Sequence, residues 1–191
     1  MERVFADTNV LFPFSIMDLV LGMAEDGIHE FIWSNDLLDE WERVIVQNNQ
    51  RSAESAASIV AAIRDFFEDG EILTTSYAAD VDNMPSADLD DRKHIAAAKV
   101  GRATVLLTRN LKHFPAEPLS EMSIRVLDAD TYMCEQLTSS PEQMLWTVTR
   151  IASEKRRPTM TVGELLATLS NAGVPEFAER FRTEFDTARR F

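Results

Sequence analysis

Acidic and amide side chains occur in this sequence where short apolar runs end. Asp7 follows the apolar run Val4 to Ala6. Asn110 comes shortly after another such run, Thr104 to Leu107, and Asp91 opens an alanine-rich stretch between the two. Oxygen-bearing side chains of this kind bind hard cations such as Mg²⁺ or Mn²⁺, which keep part of their water shell. These residues are therefore candidates for a metal site, provided that the fold brings them together.

The elements around these residues are expected to place them at one edge of a sheet. Both apolar runs are typical of buried strands, and Asp91 stands at the start of a predicted helix. In a strand, helix, strand repeat, the start of the helix and the end of the next strand lie at the edge where open α/β sheets bind ligands. Asp7, Asp91 and Asn110 then converge there. Asp91 could instead be a helix cap, and Asp7 and Asn110 could be turn residues.

A further carboxylate is expected from a helix that Asn35 is predicted to cap. The apolar stripe of this helix consists of Leu37, Leu38, Trp41, Val44 and Ile45. Glu40 and Glu42 lie at the two borders of the stripe, and helical spacing does not choose between them. His94 lies one turn after Asp91, and we expect a packing or hydrogen-bonding role for it.

The order of the remaining patterns predicts an α/β fold. Short apolar strands alternate with helical stretches, which favours a mostly parallel sheet covered by helices on both faces. A dense apolar run from Leu11 to Ala24 predicts one buried helix. Thr161 and Glu164 form a predicted capping box in a helix-rich C-terminal part. We therefore expect one domain over residues 1–139 and a helical extension over residues 140–191.

Composition limits the functional classes. The chain has 191 residues, of which 45% are hydrophobic, so it can bury one main core. Its net charge of -13 argues against broad nucleic-acid affinity, because phosphate binding normally requires a basic surface. The N-terminus lacks a secretory pattern, and no segment reaches the ~20 apolar residues of a membrane span, so we expect a soluble cytoplasmic protein without membrane contact. Cys134, the single cysteine, is expected to be a buried small hydrophobe.

A hard cation at this sheet edge would support a particular chemistry. Such an ion activates a water molecule and neutralises the charge that develops on a phosphate. The reaction implied is metal-dependent hydrolysis of a phosphodiester bond. A different hydrolase on the same sheet, an aspartyl phosphotransferase of the haloacid dehalogenase type, needs a second aspartate two residues after the first. This chain has Asn9 at that position, which disfavours the alternative.

The ordered set of motifs resembles a PIN-domain ribonuclease of the VapC-like toxin type, found in bacterial toxin and antitoxin pairs. The motifs are ADTNVL at 6–11, LLDEWERV at 37–44, and DLDDRKHIAAA followed by VLLTRNLKHFP at 88–115. The resemblance covers roughly residues 1 to 139. It maps the acidic positions of the family to Asp7, Glu40 and Asp91, and its variable fourth position to Asn110.

The resemblance implies a set of properties beyond these residues. They are an α/β/α sandwich, Mg²⁺ or Mn²⁺ dependence, endonucleolytic cutting of RNA, homodimerisation, and inhibition by a small antitoxin. Asn110 departs from aspartate, and a neutral amide supplies less charge to hold a second ion. An alternative interpretation is therefore a non-catalytic RNA-binding or regulatory module that keeps the fold with a degenerate site.

Overall fold

A computed structural model describes residues 1–156 and 158–188. Its strands are β1 (Glu2–Ala6), β2 (His29–Ser34), β3 (Glu71–Ile72), β4 (Val105–Leu107) and β5 (Arg125–Leu127). The first helices are α1 (Thr8–Leu11), α2 (Phe14–Glu25), α3 (Asn35–Gln47), α4 (Ala53–Phe66), α5 (Thr74–Tyr77) and α6 (Leu89–Val100). The later ones are α7 (Ala116–Glu121), α8 (Ala129–Ser139), α9 (Pro141–Glu154), α10 (Val162–Ala172) and α11 (Pro175–Ala188).

The strands form one sheet with the order β3, β2, β1, β4, β5. The pairs β1–β4, β2–β3 and β4–β5 are parallel, which confirms the predicted α/β class with a mostly parallel sheet. Ala6 of β1 lies opposite Leu107 of β4. The next residues, Asp7 and Thr108, therefore leave the sheet side by side at its carboxyl edge.

The last three residues of β1 and all three residues of β4 are apolar and covered on both faces of the sheet. Val4, Phe5 and Ala6 are completely buried, as are all three residues of β4. Continuous apolar runs of this kind are typical of parallel strands that are packed on both sides. The first polar residue after each run thus marks the point where the chain leaves the core.

Three predictions about the ends of helices were inaccurate. The buried helix predicted over Leu11 to Ala24 is present as α2 but begins only at Phe14, because Pro13 lacks the backbone N–H that a longer helix would need. Pro13 occupies the N-cap position of α2, and Leu11 ends α1. Ser34, not Asn35, caps α3, and its Oγ accepts a hydrogen bond from the backbone N–H of Leu37 at 3.3 Å. The cap of α6 is Asp88, so the helix begins at Leu89, two residues before the predicted start at Asp91.

Contacts group the chain into two compact units. Unit 1 comprises residues 1–12 and 30–127 and contains α1, α3 to α7 and the sheet strands, except for His29 at the start of β2. Unit 2 comprises residues 13–29 and 128–191 and contains α2 and α8 to α11. The boundary of the nuclease domain after residue 139, which was predicted from the sequence, stays a prediction.

Unit 2 has its own apolar core and its own polar anchors. Its buried aromatic side chains include Tyr132, Phe177 and Phe181. The predicted capping box is confirmed: Thr161 Oγ1 accepts from the N–H of Glu164 at 3.2 Å, and a Glu164 carboxylate oxygen accepts from the N–H of Thr161 at 2.7 Å. Across the described residues of both units, none of the helices combines the length and apolar character of a membrane span.

Candidate active site

Asp7 is held in a fixed orientation at the end of β1. Its side chain is buried, and its Oδ2 accepts hydrogen bonds from Thr108 Oγ1, at 2.8 Å, and from the side-chain amide of Asn9. Its Oδ1 lies 3.3 Å from Nδ1 of His94. Buried carboxylates are costly unless they are paired, so this set of partners offsets the cost of burying Asp7 inside the fold.

The polar residues beside Asp7 connect the ends of β1 and β4. Asn9 Oδ1 accepts from the backbone N–H of Arg109 at 2.8 Å. Thr108 Oγ1 accepts from the backbone N–H of Asn110 at 3.0 Å while it donates to Asp7. Because both side chains also bond backbone groups, they fix the position of Asp7 relative to the segment after β4.

Asp91 lies in the first turn of α6, where Asp88 performs the capping. Asp88 Oδ1 accepts from the backbone N–H groups of Asp90 and Asp91, at 2.9 and 3.2 Å, which leaves the side chain of Asp91 free to turn inward. Asp91 Oδ2 lies 2.8 Å from Nδ1 of His113 and accepts from Ser86 Oγ at 3.3 Å.

The electrostatic environment of Asp91 shows that a second carboxylate is near. Burial raises the pKa of Asp91, its hydrogen bond with His113 acts in the opposite direction, and the negative charge of Asp7 raises the pKa further. Two carboxylates that repel each other in a partly buried site are stabilised by a cation placed between them.

The structure distinguishes Glu40 from Glu42. Trp41 is buried and donates from its indole N–H to the carbonyl of Leu11 at 3.0 Å, which fixes the rotation of α3. In this orientation Glu40 lines the cavity at the sheet edge, and Glu42 does not. Helical spacing alone could not make this choice because both residues border the same apolar stripe.

The three predicted carboxylates line one cavity of about 280 Å³. Its walls are Asp7, Thr8, Asn9, Phe12, Glu40, Val44 and Asp91. Asn110 is not among the wall residues; it is half-buried beside Thr108, to which its backbone N–H is bonded. The structure therefore brings Asp7, Glu40 and Asp91 together, while a catalytic role for each of the four residues stays a prediction.

His94 lies between two of the carboxylates. Its Nδ1 is 3.3 Å from Asp7 Oδ1, and its Nε2 is 3.2 Å from Glu40 Oε2. Burial by itself would lower the pKa of His94, but Asp7 and Glu40 together raise it to about 9. The imidazole is thus a buried cation at neutral pH and balances part of the negative charge, which is a more specific role than the expected packing or hydrogen bonding.

The residues present fit a hydrated divalent cation. Within residues 1–156 and 158–188, no three His, Cys, Asp or Glu side chains are spaced to bind one ion together. Mg²⁺, however, is commonly held by one or two carboxylates and keeps several waters. Glu40 Oε2 is buried without a well-formed hydrogen bond, and Asp7 and Asp91 repel each other. Both observations are consistent with a cation in this cavity.

The sequence predicted no catalytic role for two residues that lie at the site. Thr8 lines the cavity, and its buried Oγ1 has no hydrogen-bond partner within the described part of the chain. His113 contacts Asp91 from a segment 22 residues further along. Neither has a local signal, because a threonine after a strand and a histidine in a loop are both common; only the fold brings them to the carboxylates.

Comparisons with known proteins identify the family of this chain. A family model described as "PIN domain" matches residues 3–112, and one described as "VapC50 C-terminal domain" matches residues 129–183. The protein named "Putative ribonuclease VapC50" of Mycobacterium tuberculosis is 32% identical over 122 residues, which is 62% of this chain and 72% of that protein. No solved structure matches the chain. Since the first family model spans more than half of the sequence, the chain belongs to the PIN-domain family and is a VapC-like member of it.

Proposed function

We propose that this chain is a metal-dependent endoribonuclease that acts as the toxin of a toxin-antitoxin pair. The observation that carries the proposal is that Asp7, Glu40 and Asp91, from three distant segments, line one cavity at the carboxyl edge of the sheet. Membership of the PIN-domain family and similarity to a protein named as a ribonuclease support RNA as the substrate.

Each residue has a defined role in this proposal. Asp7, Asp91 and Glu40 would hold Mg²⁺ or Mn²⁺. The bound ion would supply an activated water and positive charge for the scissile phosphate. Thr108 and Asn9 orient Asp7, and His94 limits the repulsion between Asp7 and Glu40. Asn110 has a supporting role at the end of β4.

Removal of single carboxylates tests the proposal. Asp7→Asn and Asp91→Asn are expected to abolish Mg²⁺- or Mn²⁺-dependent cleavage of RNA without changing the circular dichroism spectrum, because asparagine keeps the shape and loses the charge. Asp82→Asn is the matched control, since the side chain of Asp82 is 93% exposed and lies outside the cavity. Cleavage at the normal rate by both cavity variants would contradict the assignment of Asp7 and Asp91 to the metal site.

A non-catalytic RNA-binding module is the second candidate function. It is favoured by the neutral Asn110 and by the lack, within the described residues, of three side chains spaced to share one ion. Titration of Mn²⁺ by calorimetry separates the two candidates. The nuclease binds the ion, and Asp7→Asn weakens that binding; the binding module takes up RNA equally well with and without the ion.

The biological setting follows from the family. We propose that the protein acts in the cytoplasm, forms a homodimer, and is inhibited by a small cognate antitoxin. Light scattering of the purified protein measures the oligomeric state. A short reading frame for a DNA-binding protein directly upstream of the gene, whose co-expression relieves growth arrest, would support the toxin assignment; a monomer in solution would contradict the dimer.

A further inference from the structure

A second cavity, of about 400 Å³, lies in unit 1 beside the proposed catalytic site. It is formed by residues 85–88, which precede α6, and by Lys112, His113 and Pro115 from the segment after β4. None of these residues lines the cavity that contains Asp7 and Glu40. Its volume is within the range of ~300–1,000 Å³ that is usual for ligand sites.

Two residues of the second cavity contact Asp91, which lines the first cavity. His113 approaches Asp91 Oδ2 to 2.8 Å, and Ser86 donates to the same oxygen at 3.3 Å. A polymer bound at Asp91 therefore has the second cavity as its neighbour.

The second cavity has one lysine and one carboxylate on its wall, whereas the first has three carboxylates. Lys112 is exposed, and among the described residues its ammonium group has no hydrogen bond and no carboxylate within ion-pair distance. The one carboxylate of the wall, Asp88, is already occupied by two backbone N–H groups of α6. The cavity thus offers an unpaired cation in a chain whose net charge is -13.

The remaining wall suits a nucleobase. Pro85 and Pro115 provide apolar rings, and His113 provides an aromatic ring whose Nδ1 lies 2.8 Å from Asp91. Single-stranded RNA is commonly held through unstacked bases that lie on such side chains and through contacts of basic groups with its phosphates. Apolar rings and a lone ammonium group fit this ligand better than they fit a metal ion or an acidic side chain alone.

We propose that this cavity binds the nucleotide of single-stranded RNA that adjoins the cleaved bond, with Lys112 on its phosphate and the base against His113 and the proline rings. The assignment rests on the proposed ribonuclease function. It also provides a cation for a phosphate next to the cleaved bond in a chain whose net charge is -13.

The salt dependence of RNA binding tests this subsite. The probe is a fluorescein-labelled single-stranded RNA of random sequence, bound to the Asp7→Asn variant at constant Mg²⁺ while the KCl concentration is varied. Lys112→Ala in this background is expected to lower the salt slope by about 0.7, the value for one phosphate contact on a single strand, which corresponds to about fivefold weaker binding at ~0.1 M salt. Lys112→Arg keeps the charge and is expected to retain both the salt slope and the RNA affinity of the Asp7→Asn background.

Lys99→Ala is the matched control, because Lys99 is an exposed lysine in the last turn of α6, at the far end from the cavity. In the active protein, Lys112→Ala is expected to raise KM for RNA and to leave kcat nearly unchanged. An unchanged salt slope in Lys112→Ala, or an equal loss of RNA affinity in Lys99→Ala, would contradict the proposed subsite. Cleavage by the Asp7→Asn background contradicts the proposed catalytic site instead, so the two failures are distinguishable.

Discussion

Glu40 combines two properties that are rarely found together in a surface helix. Its side chain is about 22% exposed, yet Oε2 is buried and has no well-formed hydrogen bond, although His94 approaches it to 3.2 Å. The charge of His94 offsets part of the cost of burying this oxygen, and a bound cation or an ordered water would complete its partners. The position of this oxygen in the cavity wall makes Glu40, among all residues of α3, the one suited to act on a bound ion.

Glu40→Gln is expected to lower Mg²⁺-dependent RNA cleavage by roughly tenfold or more, as is common when a group that binds or orients a metal is removed. The reason is the loss of the charge that faces the ion, since glutamine keeps the size of the side chain. Glu42→Gln, two residues away and outside the cavity, is expected to retain activity. The measurement is kcat/KM over a Mg²⁺ titration. A larger loss in the Glu42 variant than in the Glu40 variant would reverse the assignment.

The sequence placed some residues of the site clearly and left others undecided. Asp7 and Asp91 could be placed because each follows or opens a strongly patterned element. Glu40 could not be separated from Glu42 by periodicity, because that choice depends on the rotation of α3, which the bond from Trp41 to Leu11 determines. The contacts of His113 and Ser86 with Asp91 depend on loops whose course no local pattern specifies.

At the scale of the elements, the start of α6 determines how Asp91 is presented. Asp88 Oδ1 accepts hydrogen bonds from two backbone N–H groups at the start of the helix. These groups are therefore bonded by a residue that does not line the cavity of Asp7 and Glu40. If Asp91 were the cap, its carboxylate would be occupied by these N–H groups. The separation of the capping and the cavity-lining carboxylate is thus a requirement for the proposed metal site.

Asp88→Ala is expected to lower the free energy of unfolding by ~1 kcal/mol, the usual effect of removing an N-cap side chain. Asp88→Ser supplies another capping oxygen and is expected to retain most of the stability. Urea denaturation followed by circular dichroism measures both variants. Equal stability of the alanine variant and the unchanged protein would show that the cap contributes nothing.

Sequence patterns located the helices and strands better than their exact ends. Ser34 and Asn35 are both good caps, and so are Asp88 and Asp91, so residue type could not decide which of the neighbouring oxygens reaches a free N–H. The break at Pro13 was overlooked because the apolar residues on both sides of it continue one helical pattern. The grouping of α2 with the C-terminal helices in unit 2 depends on long-range contacts, which local periodicity does not contain.

At the scale of the whole molecule, each unit contains one buried histidine with a shifted pKa, and the shifts have opposite signs. In unit 1, His94 is a cation because Asp7 and Glu40 raise its pKa to about 9 despite burial. In unit 2, burial lowers the pKa of His29 to about 4, against a weaker opposite effect of the Val20 backbone, and its Nδ1 lies 3.0 Å from the hydroxyl of Tyr132. The two units should therefore differ in their response to pH.

In metal-free buffer, unit 1 is expected to lose stability as the pH rises, and unit 2 as the pH falls. The folded pKa of His94 is above the unfolded value of 6.5, so its contribution is complete below pH 6.5 and is lost as the pH rises to about 9. The folded pKa of His29 is below 6.5, so its contribution is present above pH 6.5 and is lost as the pH falls to about 4. Each change is of the order of 3 kcal/mol.

Hydrogen exchange measured by mass spectrometry, corrected for intrinsic rates, follows the two units separately in this experiment. His94→Gln and His29→Gln are the controls, because each is expected to remove the pH dependence of its own unit and to leave that of the other. Parallel changes of protection in both units over the whole pH range would contradict this account.

The shortness of the outer strands has a consequence for self-assembly. At one edge of the sheet β3 has two residues, and at the other edge β5 has three, of which Arg125 is exposed and paired with Glu2. An edge of this length can form very few backbone hydrogen bonds with another chain, and a charged residue opposes such pairing further. Two copies of this protein are therefore expected to associate through helices instead of by extending the sheet, which also protects the chain against fibrous aggregation through its strand edges.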